Sequence, residues 1–343
     1  MSDLIIGAVR GALAAAYGLP DAALGRVANG QSTLNYAGTA GGRRVFVKCY
    51  PHDADLDSER HAIMLSEYAR GAGVPAARVI ASCQGELIHD NAISVWEYVD
   101  GESADRAPLL TPDRMAAAGH AVGRLHRAFA AHPAAAPARR PGAAGVCDPT
   151  AAAEKITATL DAYRALTEPG EFERWAVEVL RWRLSLIPRL SRLLASLPPL
   201  TSQIVHGDLA TPNLLFRGAS LSAIVDFRPP RPRPLAWEIS RLACDPRTIV
   251  RRPDWLYGLR RFVAAYRAAG GTSHVDDVLA AVRVWLCYTA TSTYPFSELV
   301  SGPTPFPDRL RRYARDRQAA VVAVLTDLDT VEAAVRGQAR TGS

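Results

Sequence analysis

Residues 204–227 read IVHGDLATPNLLFRGASLSAIVDF, and the interpretation of the chain starts from them. Two apolar, strand-like pieces flank a polar run, and Gly218 supplies a turn that returns the second piece alongside the first. Such a fold-back brings His206-Gly207-Asp208, Asn213 and Asp226 close together.

Two carboxylates and one amide oxygen suit a particular chemistry. Phosphoryl transfer asks for oxygen ligands that hold a divalent cation against phosphate, plus one carboxylate that orients the attacking hydroxyl. Asp208, Asn213 and Asp226 together supply that set. His206 reads first as a brace of the loop through a backbone hydrogen bond and second as a general base.

Upstream, RRVFVKCY at 43–50 alternates Val45, Val47 and Cys49 against Phe46 and Lys48 after the turn pair Gly41-Gly42, which predicts a strand carrying one lysine. Asp57 is the expected N-cap of a helix with Ala62, Leu65 and Ala69 on one face and Glu59 in its first turn, ending at Gly71 and Gly73. A second strand, 93–99, runs into Asp100-Gly101, where strand-rich sequence gives way to helix-rich sequence. The expected division is therefore an N-terminal lobe over 1–100 and a mostly helical lobe over 101–343. Helical periodicity recurs at 3–17, 112–127, 151–166, 171–194, 255–269, 275–288 and 307–335, whereas 133–149, with four prolines, reads as a loop.

Asp208, Asn213 five positions later, and Asp226-Phe227 after a strand reproduce the protein-kinase catalytic arrangement. With Gly207 in place of the protein-kinase arginine, the segment resembles the aminoglycoside phosphotransferase family, which also includes homoserine and choline kinases. The resemblance implies an α+β, bilobal, protein-kinase-like fold with an antiparallel β-sheet N-lobe and a helical C-lobe. It implies ATP and Mg2+ as cofactors and a hydroxyl on a small molecule as acceptor. By the same resemblance Asp208 is the catalytic carboxylate that orients the acceptor hydroxyl, Asn213 and Asp226 hold the magnesium, and Lys48 contacts the nucleotide phosphates and pairs with a helix glutamate, Glu59 or else Glu67. The loop 29–33, including Ser32, would face phosphate, and the Glu97 carbonyl and Val99 amide would meet adenine. Relatives often carry a further aspartate where this chain has Glu238.

The remaining features narrow the acceptor. The chain has 343 residues and a formal charge of +6, with arginines dispersed among acidic residues, so a nucleic-acid partner is not expected. That charge disfavours a polycationic acceptor and suits a neutral or anionic antibiotic or related natural product. A metabolic small-alcohol kinase and a nucleotide-binding pseudokinase scaffold are the alternative readings. Arg228, Arg231 and Arg233 on the proline-rich run after Asp226 either clamp an anion or form an exposed basic loop. Trp285, Tyr288, Tyr294 and Phe296 read first as core packing and second as pocket lining. Five scattered cysteines have no metal-site or disulfide spacing. The start of the sequence lacks signal-peptide character and no stretch suits a membrane span, so a cytoplasmic enzyme is expected.

Overall fold

Alternation over 43–50 does set the centre of a sheet: Val45 and Val47 are fully buried, while Arg43 and Arg44 are exposed. The computed structural model describes residues 2–27, 33–90, 92–104, 110–271 and 274–339. Its elements run α1 (Ser2–Tyr17), β1 (Ala23–Val27), β2 (Leu34–Ala40), β3 (Arg43–Cys49), α2 (Leu56–Gly71), β4 (Val79–Ile80), β5 (Ile93–Glu97), β6 (Glu102–Ser103), α3 (Pro112–Ala130), β7 (Ala138–Arg140), α4 (Pro149–Arg164), α5 (Glu171–Ala195) and β8 (Leu200–Ile204). A short 3-10 turn, Thr211–Asn213, leads to β9 (Leu214–Arg217), β10 (Ser220–Ile224) and β11 (Pro232–Pro234). The helices α6 (Leu235–Ala243), α7 (Pro246–Arg251), α8 (Trp255–Ala268), α9 (Val275–Thr291), α10 (Phe296–Val300), α11 (Pro307–Thr326) and α12 (Leu328–Ala339) complete the chain.

Two compact units result. The first comprises Met1–Ser103, His206–Asp208 and Pro212–Arg231, and the second comprises Ala104–Val205, Leu209–Thr211 and Pro232–Ser343.

In the first unit the antiparallel sheet has the order β1-β2-β3-β5-β4, with Lys48 opposite Asn35 on one side and Ser94 on the other. Helix α1 closes one face, its Val9, Leu13 and Tyr17 packing in one core with Tyr36, Val45, Val47 and Val95. Helix α2 begins two residues earlier than the sequence suggested. The Asp55 carboxylate accepts the Ser58 N–H at 3.0 Å and is the N-cap, which leaves Asp57 in the first turn, paired with Arg60. The hairpin β9–β10 extends to β6 and is tied down by the Ile224 N–H on Pro75 O at 2.8 Å.

The second unit is mainly helical. Helices α3 and α8 approach closely because α3 has no side chain at the contact: a Cβ on Gly119 would stand 2.3 Å from Phe262 O. The proline-rich stretch expected to be loop throughout supplies β7, which pairs with β8, while Pro137 and Pro141 confine it to three residues. The helix expected over 307–335 is two, α11 closing at Asp327, whose N–H bonds Ala323 O at 3.1 Å. His126 and Glu238 are fully buried and share a 3.1 Å contact, with Tyr266 Oη 2.9 Å from His126 Nδ1.

Candidate active site

The loop from His206 to Asp208 is held by hydrogen bonds that the local sequence dictates. Val225 O only accepts, so His206 Nε2–H donates to it at 3.0 Å, and the Asp208 N–H only donates, to His206 Nδ1 at 3.2 Å. His206 is buried against the Phe227 ring, 4.4 Å between centroids. With both ring nitrogens committed to backbone, the imidazole braces the loop. Asn213 Nδ2–H donates to Asp208 O at 2.9 Å, and Asn213 O accepts the Val225 N–H at 3.0 Å. One asparagine thus joins the loop of Asp208 to the strand end that precedes Asp226.

Asp226 follows β10 in the left-handed region, φ 62°, a conformation that non-glycine residues rarely adopt and that is found disproportionately at functional sites. Its carboxylate, half exposed, forms an ion pair with the Lys48 ammonium. Burial pushes the Asp226 carboxyl up, but the Lys48 charge and hydrogen bond outweigh it and hold the group below its ordinary value. Lys48 Nζ also lies 5.9 Å from the Trp96 ring centroid.

The helix glutamates do not take the role expected of them. Lys48 has Asp226 as its ion-pair partner, whereas Glu67 engages Arg70 and accepts the Val79 N–H at 3.0 Å. Glu59 is near enough to Tyr50 for its charge to help raise the phenol, after the larger effect of burial, but it forms no ion pair with Lys48. The reason is geometric: the positive φ at Asp226 turns a carboxylate onto the lysine, and the ammonium pairs with it.

Glu97 ends β5, with its N–H on Arg78 O at 2.9 Å and its carboxylate 3.4 Å from Arg78 Nη1; Val99, two residues on, is half-buried. Ser32 and the rest of 29–32 lie outside the described residues.

Sequence reasoning missed Arg228 as a neighbour of Asp208. Its guanidinium is 3.6 Å from the Asp208 carboxylate, and its N–H is fixed on His206 O at 2.9 Å. Gly207, φ 86°, makes the room: a Cβ there would stand 2.8 Å from Arg228 Cβ. A bulky cation directly after Asp226-Phe227, facing a glycine in the HGD segment, was the available signal.

The donors suit magnesium. That ion usually takes one or two protein oxygens and completes its shell with phosphate and water. Asn213, its amide nitrogen already spent on Asp208 O, retains an oxygen, and Asp226 adds a depressed carboxylate. Among the described residues no cluster of three or more His, Cys, Asp or Glu forms an all-protein cage.

A model of the phosphotransferase enzyme family matches residues 24–285. The chain belongs to that family. The match spans β1 to α9 and bears out both the resemblance and the protein-kinase-like α+β fold. A spectinomycin phosphotransferase solved with ADP and spectinomycin superposes with a TM-score of 0.67 at 12% identity, covering 93% of this chain and 98% of that one. A choline kinase from Cryptosporidium parvum Iowa II gives 0.58 at 14% identity, with 99% of each chain covered. A macrolide 2'-phosphotransferase from Brachybacterium faecium gives 0.53 at 17% identity, covering 92% and 96%. None of the curated proteins compared matches the chain in sequence. At these identities the likeness carries the fold of this phosphotransferase family member and no substrate.

Among the described residues no helix is long and apolar enough to cross a membrane, and all five cysteines are free thiols.

Proposed function

We propose that the chain is an ATP-dependent, magnesium-requiring phosphotransferase that phosphorylates a hydroxyl of a small molecule, a natural product of antibiotic type being the favoured acceptor. The observation that carries this reading is the conjunction, within one unit, of the Lys48–Asp226 ion pair with a loop that presents Asp208 and is stitched by His206 and Asn213. The family membership agrees with it.

In this reading Lys48 binds phosphate oxygens and offsets their charge, and Asn213 and Asp226 hold the metal. The magnesium ion would supply charge neutralisation across the phosphates. Asp208 accepts a hydrogen bond from the acceptor hydroxyl and aligns its oxygen for attack. Because the transition state of phosphoryl transfer is loose, alignment matters more than the basicity of the carboxylate. The rigid backbone on either side of Asp208 serves that purpose.

Magnesium-dependent ADP release against a panel of hydroxylated antibiotics and small metabolic alcohols tests the proposal. Turnover that requires one panel member, and that drops by about 100- to 10,000-fold in Asp208→Asn, is expected. Equal turnover in that variant would reject the catalytic assignment. Nucleotide binding without turnover on any member would favour the scaffold reading instead.

A further inference from the structure

In the second unit, guanidinium groups and aromatic rings alternate just beyond the segment that carries Asp208. Arg233 Cζ lies 5.3 Å and Arg241 Cζ 5.0 Å from the Trp237 ring centroid, and Tyr288 meets that indole edge-on at 5.7 Å. Arg247 Cζ is 4.5 Å from the Tyr313 ring. Arg241 Nε–H donates to Leu209 O at 2.9 Å and Arg247 Nη1–H to Thr211 Oγ1 at 3.3 Å. The wall is thereby anchored at positions one and three after Asp208 in the chain.

Two properties set this wall apart from an ordinary arginine-rich surface. Trp237 is 96% buried (4% exposed), yet its Nε1–H has no hydrogen-bond partner among the described residues. A buried donor left unpaired costs about 1–3 kcal/mol, so an acceptor that reached it would recover that penalty. Arg233 stacks on the same indole and has no ion-pair partner among the described residues, although it is partly exposed. Of the acidic groups nearby in sequence, Asp245 is engaged by Thr211 and Thr248 and also feels the Arg247 charge, and Glu238 is engaged by His126.

We propose that this wall binds an oxyanion, a carboxylate or phosphate carried by a small molecule, through Trp237 Nε1–H and the Arg233 and Arg241 guanidiniums, with Arg247, whose charge Asp245 partly offsets, beside them. Planar guanidinium forks match the oxygen spacing of such groups, and the partly exposed Tyr288 ring offers flat surface to the ring that bears the charge.

Calorimetric titration of the full chain, without nucleotide, against benzoate, phenyl phosphate and uncharged benzyl alcohol tests this. At least one anion is expected to bind about tenfold tighter than benzyl alcohol, the discrimination of a single charge-assisted hydrogen bond. Its affinity should fall with added salt and disappear in an Arg233→Ala/Arg247→Ala double variant whose circular dichroism is unchanged, while Arg233→Lys retains part of it. The indole N–H resonance assigned by Trp237→Phe should move downfield on titration. Benzoate against phenyl phosphate separates the carboxylate from the phosphate. The proposal is overturned if the anions bind no better than benzyl alcohol at millimolar concentration, if the double variant binds them like wild type, or if Lys48→Ala removes the binding instead. Anion binding that persists in a protein showing no turnover would sink the kinase reading alone.

Discussion

Gly207 and Arg228 fit together because one has no side chain: the Arg228 stem occupies the space that a methyl group on residue 207 would need, 2.8 Å from Arg228 Cβ. The same glycine holds φ 86°, and the Arg228 N–H is fixed on His206 O. Two separate constraints, backbone conformation and contact, therefore converge on the residue before Asp208.

Gly207→Ala is expected to lower stability by about 1–3 kcal/mol through backbone strain, and to lower kcat more than that loss alone implies. Displacing Arg228 moves the loop that presents Asp208, and a shift of about 1 Å at a reacting group costs on the order of 100-fold. Gly218→Ala is the control, since Gly218 has φ 59° but open space around a Cβ. Thermal melts and steady-state kinetics of the two variants, compared, separate strain from contact; equal kinetic losses in both would refute the role of the contact.

The Lys48–Asp226 pair has a defined pH signature. The Asp226 carboxyl lies below its ordinary value, so the ion pair contributes stability above the unfolded carboxylate range and loses it as pH falls through the depressed folded value. Because the carboxylate is half exposed, the contribution is screened to about 0.2–1 kcal/mol. Asp226→Asn should melt slightly below wild type from pH 8 to about 5, with the gap closing below about pH 4. A gap that widened in acid would contradict the assigned sign. The same variant should make nucleotide binding indifferent to magnesium, which titration with and without the ion would read.

Arg183 makes a different demand on the second unit. It is fully buried, donating to Gln318 Oε1 at 3.0 Å and to Ser292 O at 2.8 Å, with its Cζ 5.2 Å from the Phe296 ring. Burial, helped by the Arg317 charge, pulls its pKa down to about 9. Arg183→Met should destabilise by about 2–4 kcal/mol, because the carbonyls and amide it serves lose their donor. Denaturant melts at pH 7 check this; a variant as stable as wild type would show that these hydrogen bonds contribute nothing net.

Much of this was legible in one dimension because local chemistry carries it. Period-two alternation gave β3, a short apolar run gave β5, and the spacing of Asp208, Asn213 and Asp226 marked the site, since each is placed by its own strand end or turn. Element ends were less legible. Asp55 and Asp57 both look like caps, and only the Asp55 bond to the Ser58 N–H decides between them. The three-residue strand β7 is invisible among prolines because it exists only through β8 beside it.

By itself, then, the sequence determined the family, the strand that carries Lys48 and the loop that carries Asp208, all of them consequences of short-range pattern. Tertiary structure alone decided which charge meets which. Lys48 pairs with Asp226, 178 positions away, and leaves Glu59 aside. Arg228 reaches Asp208 over a glycine, and Trp237 is buried beside Arg233 and Arg241 with its N–H unmet among the described residues. Ion pairing and burial depend on distances that folding sets between remote segments, and no spacing along the chain encodes those distances.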